Sequence, residues 1–160
     1  MNTSRFLLLL LAAVLCMPAM AQPLSARNTV YVQLGGNAIA YSLNYERLFT
    51  AHLTGRIGAM YAHLDVGDLE DVTETEGKET LVFVPVMVNY LLGTGKHRVE
   101  LGAGPLLVTS DAGGGGIAAT ATAGYLYRPN RGFNARLGFT PAFSTGFFLP
   151  WGGVGLGYSF

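Results

Sequence analysis

Four groups of residues in this sequence have types and spacings that could do chemistry. His63 and Asp65 stand two apart, with Ser110 and Ser144 further along. A hydroxyl nucleophile, an imidazole base and a carboxylate that orients it are the parts of a hydrolase once a fold brings them within hydrogen-bond reach. No His-x-Ser pair occurs, however, and Asp65 belongs equally to an acidic cluster, so no enzymatic activity is expected. Gly93-Thr94-Gly95-Lys96 looks like half a phosphate loop, but Tyr90 stands where its first glycine belongs and His97 where a magnesium-binding Ser or Thr belongs. It reads as a hairpin turn, and the run Gly113 to Gly116, which lacks a lysine and a following helix, as a flexible loop. Asp65, Asp68, Glu70, Asp71, Glu74, Glu76 and Glu79 face Lys78 alone, and such carboxylates suit hard divalent cations. The spacing lacks the alternate ligands and central glycine of a calcium loop, so a solvated loop with no metal or other cofactor is expected. Finally, Glu46, Arg56, Glu100 and Arg136 fall within apolar-rich stretches, where a charge taken out of water needs an opposite charge nearby.

The elements that position these residues follow from composition and from the two ends of the chain. Arg5, the apolar stretch Phe6 to Met17, and Ala19-Met20-Ala21 before Gln22 form a secretory signal, expected as residues 1–21 and removed on export. About twelve apolar residues are too few to cross a bilayer as a helix, which takes about 20. Cys16, the only cysteine, lies inside that stretch behind bulky Leu15, so neither lipidation nor a disulfide in the mature chain is expected. The remaining residues, 22–160, suit one domain. The chain is 50% hydrophobic but only 12% charged, against about 25% for a typical soluble domain, so a large surface must face something other than water. No later stretch is long and apolar enough for a spanning helix, Leu81 to Leu92 being interrupted by Pro85 and Asn89. The spanning structure that remains is a closed β-barrel. Near-zero net charge, with no continuous basic stripe, gives no hint of a nucleic-acid partner, and none is expected.

Period-two alternation and bounding turn residues predict eight strands at about 28 to 35, 38 to 48, 53 to 63, 80 to 92, 97 to 109, 116 to 128, 132 to 142 and 151 to 160. Links near 49 to 52, 93 to 96 and 129 to 131 are tight, whereas those at 64 to 79, 110 to 115 and 143 to 150 are longer. The link at Gly35 to Asn37 is the one short exception on the long-loop side. This alternation is what an even-stranded barrel with short periplasmic turns and longer outer loops requires. One parity collects Val30, Val32, Leu34, Tyr41, Leu43, Ile57, Tyr61, Val86, Val88, Tyr90, Leu101, Tyr125, Phe133, Leu137 and Phe139, a face suited to lipid. Its aromatics sort into two sets at opposite ends, as interfacial girdles do. The other parity collects Gln33, Ser42, Asn44, Glu46, Arg56, Asn89, Glu100, Thr120, Thr122, Asn134 and Arg136, which suits a polar interior.

The chain ends on Val154, Leu156, Tyr158 and Phe160, with an apolar or aromatic residue at every second position. This resembles the carboxy-terminal assembly signal of bacterial outer-membrane barrels. Together with the signal, the eight strands and the alternating loops, it is similar to small barrels of the OmpA transmembrane-domain and OmpX type. The resemblance implies an all-β, up-and-down antiparallel transmembrane barrel in the bacterial outer membrane. It also implies a monomer in contact with outer-membrane lipid and delivered by the barrel-assembly machinery through its last strand. With Phe160 closing that strand, a peptidoglycan-binding role is not expected.

An eight-stranded barrel is only wide enough for its own side chains. Asn44, Glu46, Arg56, Asn89, Glu100, Asn134 and Arg136 are therefore expected to form a polar network that plugs the lumen, with Glu46, Arg56, Glu100 and Arg136 balanced in sign. The expected role is structural or a surface interaction through the outer loops. A narrow passive pore is the alternative, followed by a lipid A-modifying enzyme, since lipid A acylases and deacylases are built on barrels of this size. Arg27, Arg47, Lys96, Arg98, Arg128 and Arg131, near the short turns, suit either anionic headgroups or ordinary turn solubility. Mass analysis of the exported protein should find Gln22 as its first residue; an intact Met1 terminus would remove the cleaved signal from this account.

Overall fold

A computed structural model describes residues 26–65, 78–111 and 113–160. The signal segment 1–21 and the acidic residues Asp68, Glu70, Asp71, Glu74 and Glu76 lie outside the described residues. The strands are β1 Asn28–Gly35, β2 Tyr41–Leu48, β3 Leu53–Asp65, β4 Lys78–Leu92, β5 His97–Ser110, β6 Gly115–Tyr127, β7 Gly132–Phe139, β8 Ala142–Ser144, β9 Phe147–Leu149 and β10 Gly152–Ser159. Each long strand pairs antiparallel with its neighbour, β5 pairs with β6, and β1 pairs with β10. Eight long strands thus close on themselves, the up-and-down barrel that the alternation predicts. Closure leaves the ring no free edge, which is the condition for a sheet to persist in an apolar layer. The final seam is tied by reciprocal backbone bonds, Asn28 N–H to Phe160 O at 3.0 Å and Phe160 N–H to Asn28 O at 2.8 Å.

The end of the barrel with Asn28 and Phe160 is called the near end here, and the opposite one the far end. At the far end β3 and β4 each run two residues into the link predicted at 64 to 79, to Asp65 and from Lys78, and two larger departures from the predicted limits stand beside these. β2 starts at Tyr41 rather than 38, because the chain after β1 makes a compact 3-10 turn, Gly36–Ala38. Gly35 and Gly36 take φ of 68° and 80°, which glycine adopts without steric cost. The second departure is in residues 143 to 150, predicted as an outer loop. There β7 stops at Phe139, bends through Thr140 and Pro141, and resumes as β8, which pairs with β6 and with β9. Prolines 141 and 150 flank this hairpin and, having no N–H, interrupt the ladder on both of its strands.

Side chains alternate as the parity requires. Along β1 the outward Val30, Val32 and Leu34 are exposed, while Thr29, Tyr31 and Gln33 are buried. The same division runs round the ring, with Leu43, Val88, Leu101, Leu137, Val154 and Leu156 outside and Ser42, Asn89, Glu100, Arg136 and Ser159 inside. The interior is less uniformly polar than the sequence predicts. Met60, Met87 and Leu106 also point inward, and Leu48, Leu91 and Leu126 form a small apolar cluster.

The last strand makes room for the lumen's largest side chain. A Cβ added at Gly157 would lie 2.3 Å from both Tyr31 Cβ and Val30 O, and one at Gly155 would lie 2.8 Å from Arg136 Cγ. The glycines alternate with the outward Val154, Leu156 and Tyr158, so one strand supplies a lipid-type face and a side-chain-free floor for Tyr31 and Arg136. Gly157→Ala should cost about 1–3 kcal/mol through overpacking against Tyr31 and β1. Urea unfolding of the folded barrel checks this, and an unshifted midpoint would show that β1 and β10 can separate freely.

Candidate functional site: an ion-pair network inside the barrel

Strands β2, β3, β5 and β7 bring Glu46, Arg56, Glu100 and Arg136 together inside the ring. Arg136 sits between the two acids, with Nη1 donating to Glu46 Oε2 at 3.2 Å and to Glu100 Oε1 at 3.3 Å. Arg56 Nη1 lies 3.8 Å from Glu100 Oε1 and donates to the Tyr31 hydroxyl at 3.0 Å. The Tyr31 ring lies under the Arg136 guanidinium, 3.7 Å from its carbon to the ring centroid, a cation–π contact sealed from water. Glu46 is fully buried, so its charge is compensated only by the protein.

The charge count differs from the predicted one. Arg128, grouped in the sequence with basic residues near the short turns, enters the lumen instead and donates from Nη1 to Glu46 Oε1 at 2.5 Å. It is only 4% exposed, so it is not available to headgroups. The core therefore holds three guanidiniums on two carboxylates, and the expected balance of two and two is corrected. The period-two register explains this: β6 turns Gly124 and Leu126 inward, and the next inward position is residue 128.

The far-end turn contributes a residue that no motif marked. Asn37 is buried in the mouth with all four of its hydrogen-bonding positions used. Its Nδ2 donates to Thr120 Oγ1 at 2.7 Å and to Ala121 O at 2.8 Å. Its Oδ1 accepts from Arg56 Nη2 at 2.5 Å and from Thr122 Oγ1 at 3.1 Å. The turn that carries it includes Ile39 at φ 78°, a conformation disfavoured for a β-branched residue, and the Trp151 indole donates to Ile39 O at 2.6 Å. A short link with unusual backbone geometry is thus held over the lumen from two sides.

Asn44, Asn89 and Asn134 are buried as well, but bond to neighbouring hydroxyls: Ser42 Oγ at 2.8 Å, Thr54 Oγ1 at 3.4 Å and Ser159 Oγ at 3.2 Å. Among the described residues, Arg56 Nε, Arg136 Nε and Nη2, and Thr140 Oγ1 have no protein partner. A cavity of about 10 Å³ beside them, lined by Gln33, Arg56, Glu100, Thr122, Arg136 and Thr140, fits one water-sized particle.

Other sequence candidates lie elsewhere. His63 Nδ1 is 3.4 Å from Thr80 Oγ1 and its ring packs edge-on to Tyr61. Asp65 and Glu79 fall in the paired ends of β3 and β4, and Ser144 ends β8. Among the described residues no group of three or more His, Cys, Asp and Glu side chains is placed to hold a metal. Gly93 to Lys96 forms the turn between β4 and β5, with φ of 95° and 92° at its two glycines, as a hairpin turn predicts. Val154, Leu156, Tyr158 and Phe160 all face outward.

The comparisons with known proteins bear on the fold. No protein-family model matches the chain, and no curated protein matches it. Among solved structures, the chain is similar to the N-terminal β-barrel domain of Pseudomonas aeruginosa OprF, at 20% identity and a TM-score of 0.56, covering 84% of this chain and 99% of that one. It also aligns with Ail, the attachment invasion locus protein of Yersinia pestis, at 12% identity and a TM-score of 0.44, covering 84% and 97%. A second Ail structure, in complex with the heparin analogue sucrose octasulfate, aligns at 13% identity and a TM-score of 0.41. The fold is that of the small eight-stranded outer-membrane barrels, the type that the strand pattern and terminal phenylalanine resemble.

Removing Arg136 takes a partner from two buried carboxylates at once. Arg136→Ala should therefore destabilise the barrel by about 3–5 kcal/mol. Asn37→Ala should cost about 1–3 kcal/mol by stripping Arg56 and Thr122 of their acceptor. Unfolding in urea measures both, and wild-type midpoints would show that water replaces these contacts without loss.

Proposed function

We propose that this chain is a monomeric integral protein of a bacterial outer membrane whose lumen is plugged, and whose role is structural or a surface interaction through its far-end loops. The observation that carries the reading is Arg136, buried between Glu46 and Glu100 in the centre of a ring with an apolar outer wall. A solute path along the axis would have to break that three-body contact and displace Asn37 from the mouth. The exposed apolar face supports burial in outer-membrane lipid, and the near end, with its short turns, faces the periplasm in this reading. Val154, Leu156, Tyr158 and Phe160 are the stripe offered to the barrel-assembly machinery. The β3–β4 loop, with its acids from Asp65 to Glu79, is the surface-display element.

A narrow pore is the second reading, favoured by the cavity beside unpartnered guanidinium nitrogens. An enzymatic role has less support. The hydroxyl facing His63 belongs to Thr80 and stands 3.4 Å from Nδ1, longer than the usual nucleophile–base hydrogen bond.

Protein from the outer-membrane fraction should change gel mobility when boiled in detergent, as closed barrels resist unfolding. A soluble protein with no shift would overturn the location. In planar bilayers the plugged barrel should show no discrete unitary conductance, and a reproducible one abolished by Arg136→Trp would replace the plug with the pore. Lipid A incubated with the protein should keep its mass; acyl gain or loss that disappears in His63→Ala would make this an enzyme.

A further inference from the structure

The far-end hairpin of β8 and β9 does not have the chemistry of a loop in water. After Arg136 the sequence carries no Asp, Glu, Lys or Arg at all, while the loop between β3 and β4 concentrates the acids. On and beside the outward face of the hairpin, Phe143, Phe148 and Ile117 are exposed, Ile117 at 73%. Such a contiguous apolar patch needs a partner.

Register identifies that partner. Phe143 pairs with Ala119 of β6, and Phe148 pairs with Phe143, so both rings lie on the outward face that also carries Ile117, Ala119, Ala123 and Tyr125. The Phe143 and Phe148 rings meet at 5.2 Å between centroids, making one surface continuous with the outer wall. Height agrees with this. Ala119 is six residues from Tyr125, the outward aromatic two residues from the near end of β6, roughly 14 Å along the axis for a strand rising ~3.3 Å per residue at ~45° tilt. The apolar band of an outer-membrane barrel is about 25 Å tall. Phe143 and Phe148 thus fall inside that band, and the turn at Thr145 and Gly146, two residues further, stays within it or at its edge.

We propose that the β8–β9 hairpin is embedded in the far leaflet, with Phe143 and Phe148 against lipid acyl chains, as part of the spanning wall and not of the exposed loop surface. The proposal rests on the membrane-barrel reading above. It makes the aromatic flank of the far end at β8 and β9 a surface held in lipid.

The single tryptophan allows a direct test. The double variant Phe148→Trp/Trp151→Phe moves the only indole onto the hairpin face. The full mature chain is reconstituted into phosphatidylcholine vesicles carrying acyl-brominated lipid, and heat-dependent gel mobility is recorded on the same samples. In protein that shows the mobility shift, bromolipid should reduce indole emission to about half, and aqueous iodide should leave it nearly unchanged. Adding Phe143→Ser should raise iodide quenching about twofold while the mobility shift remains. Emission quenched by iodide and not by bromolipid, in shifted protein, would place the hairpin in water and overturn the proposal alone. Emission shielded from both quenchers until the protein is diluted in lipid would assign the patch to a second copy of the chain and overturn it likewise. Protein that never shows the shift would overturn the membrane-barrel reading as well.

Discussion

Backbone N–H and C=O groups must all be paired where no water reaches them, and this requirement shapes the rest of the molecule. A sheet meets it only by closing, and here closure depends on β1 meeting β10. The two strands join through a full register from Thr29 and Ser159 to Gly35 and Gly153, finished by the paired bonds of Asn28 and Phe160. Closure in turn creates an inside, and an inside this narrow must be filled. The charged side chains that would be costly in lipid become affordable there, because every wall faces another wall.

The filling is organised in layers along the axis. Leu48, Leu91 and Leu126 form an apolar layer, the guanidinium–carboxylate network with Tyr31 a charged one, and Asn37 with Thr120 and Thr122 a neutral polar one below the far mouth. Arg136 links the charged layer's two acids, and Arg56 links that layer to Asn37. The glycines of β10 leave the floor on which Tyr31 and Arg136 lie. A polar network of this kind is favourable only while its members keep their partners, so it defines one arrangement of eight strands more sharply than apolar packing would. Three cations on two anions leave donors over, beside the one small cavity described above.

Outside, the chain sorts its charge by position. Among residues 26–160, the carboxylates other than Glu46 and Glu100 belong to the sequence stretch from Asp65 to Glu79 or to Asp111, and of these Asp65, Glu79 and Asp111 lie at the far end. Arg27, Arg47, Lys96, Arg98 and Arg131 belong to the near end. Arg98 also ties two near-end turns together, donating to Gly95 O at 3.0 Å and Ala51 O at 2.8 Å. The apolar wall between these zones is interrupted by neither sign.

The sequence by itself determined which face each strand residue takes, because side chains alternate with a period of two whatever the neighbouring strand is. Val30 against Tyr31, or Leu137 against Arg136, could be sorted without a partner, and so could the eight-strand count and the hairpin at Gly93 to Lys96. Arg128 was legible by the same rule, being the next inward position after Leu126, but its place beside a turn hid it among the basic turn residues. Tyr31 likewise shares its parity with Gln33. What only the tertiary structure decided was which inward groups meet. Glu46 and Arg136 are ninety positions apart, and their contact depends on ring closure and the shear between strands, neither of which leaves a periodic signal. Asn37 belongs to the same class: its role comes from a turn folding over the lumen, and a turn's direction is set by what lies beneath it. The proline-flanked hairpin at 142–149 was likewise hidden, since its pairing with β6 is a long-range event that a local run of phenylalanines does not specify.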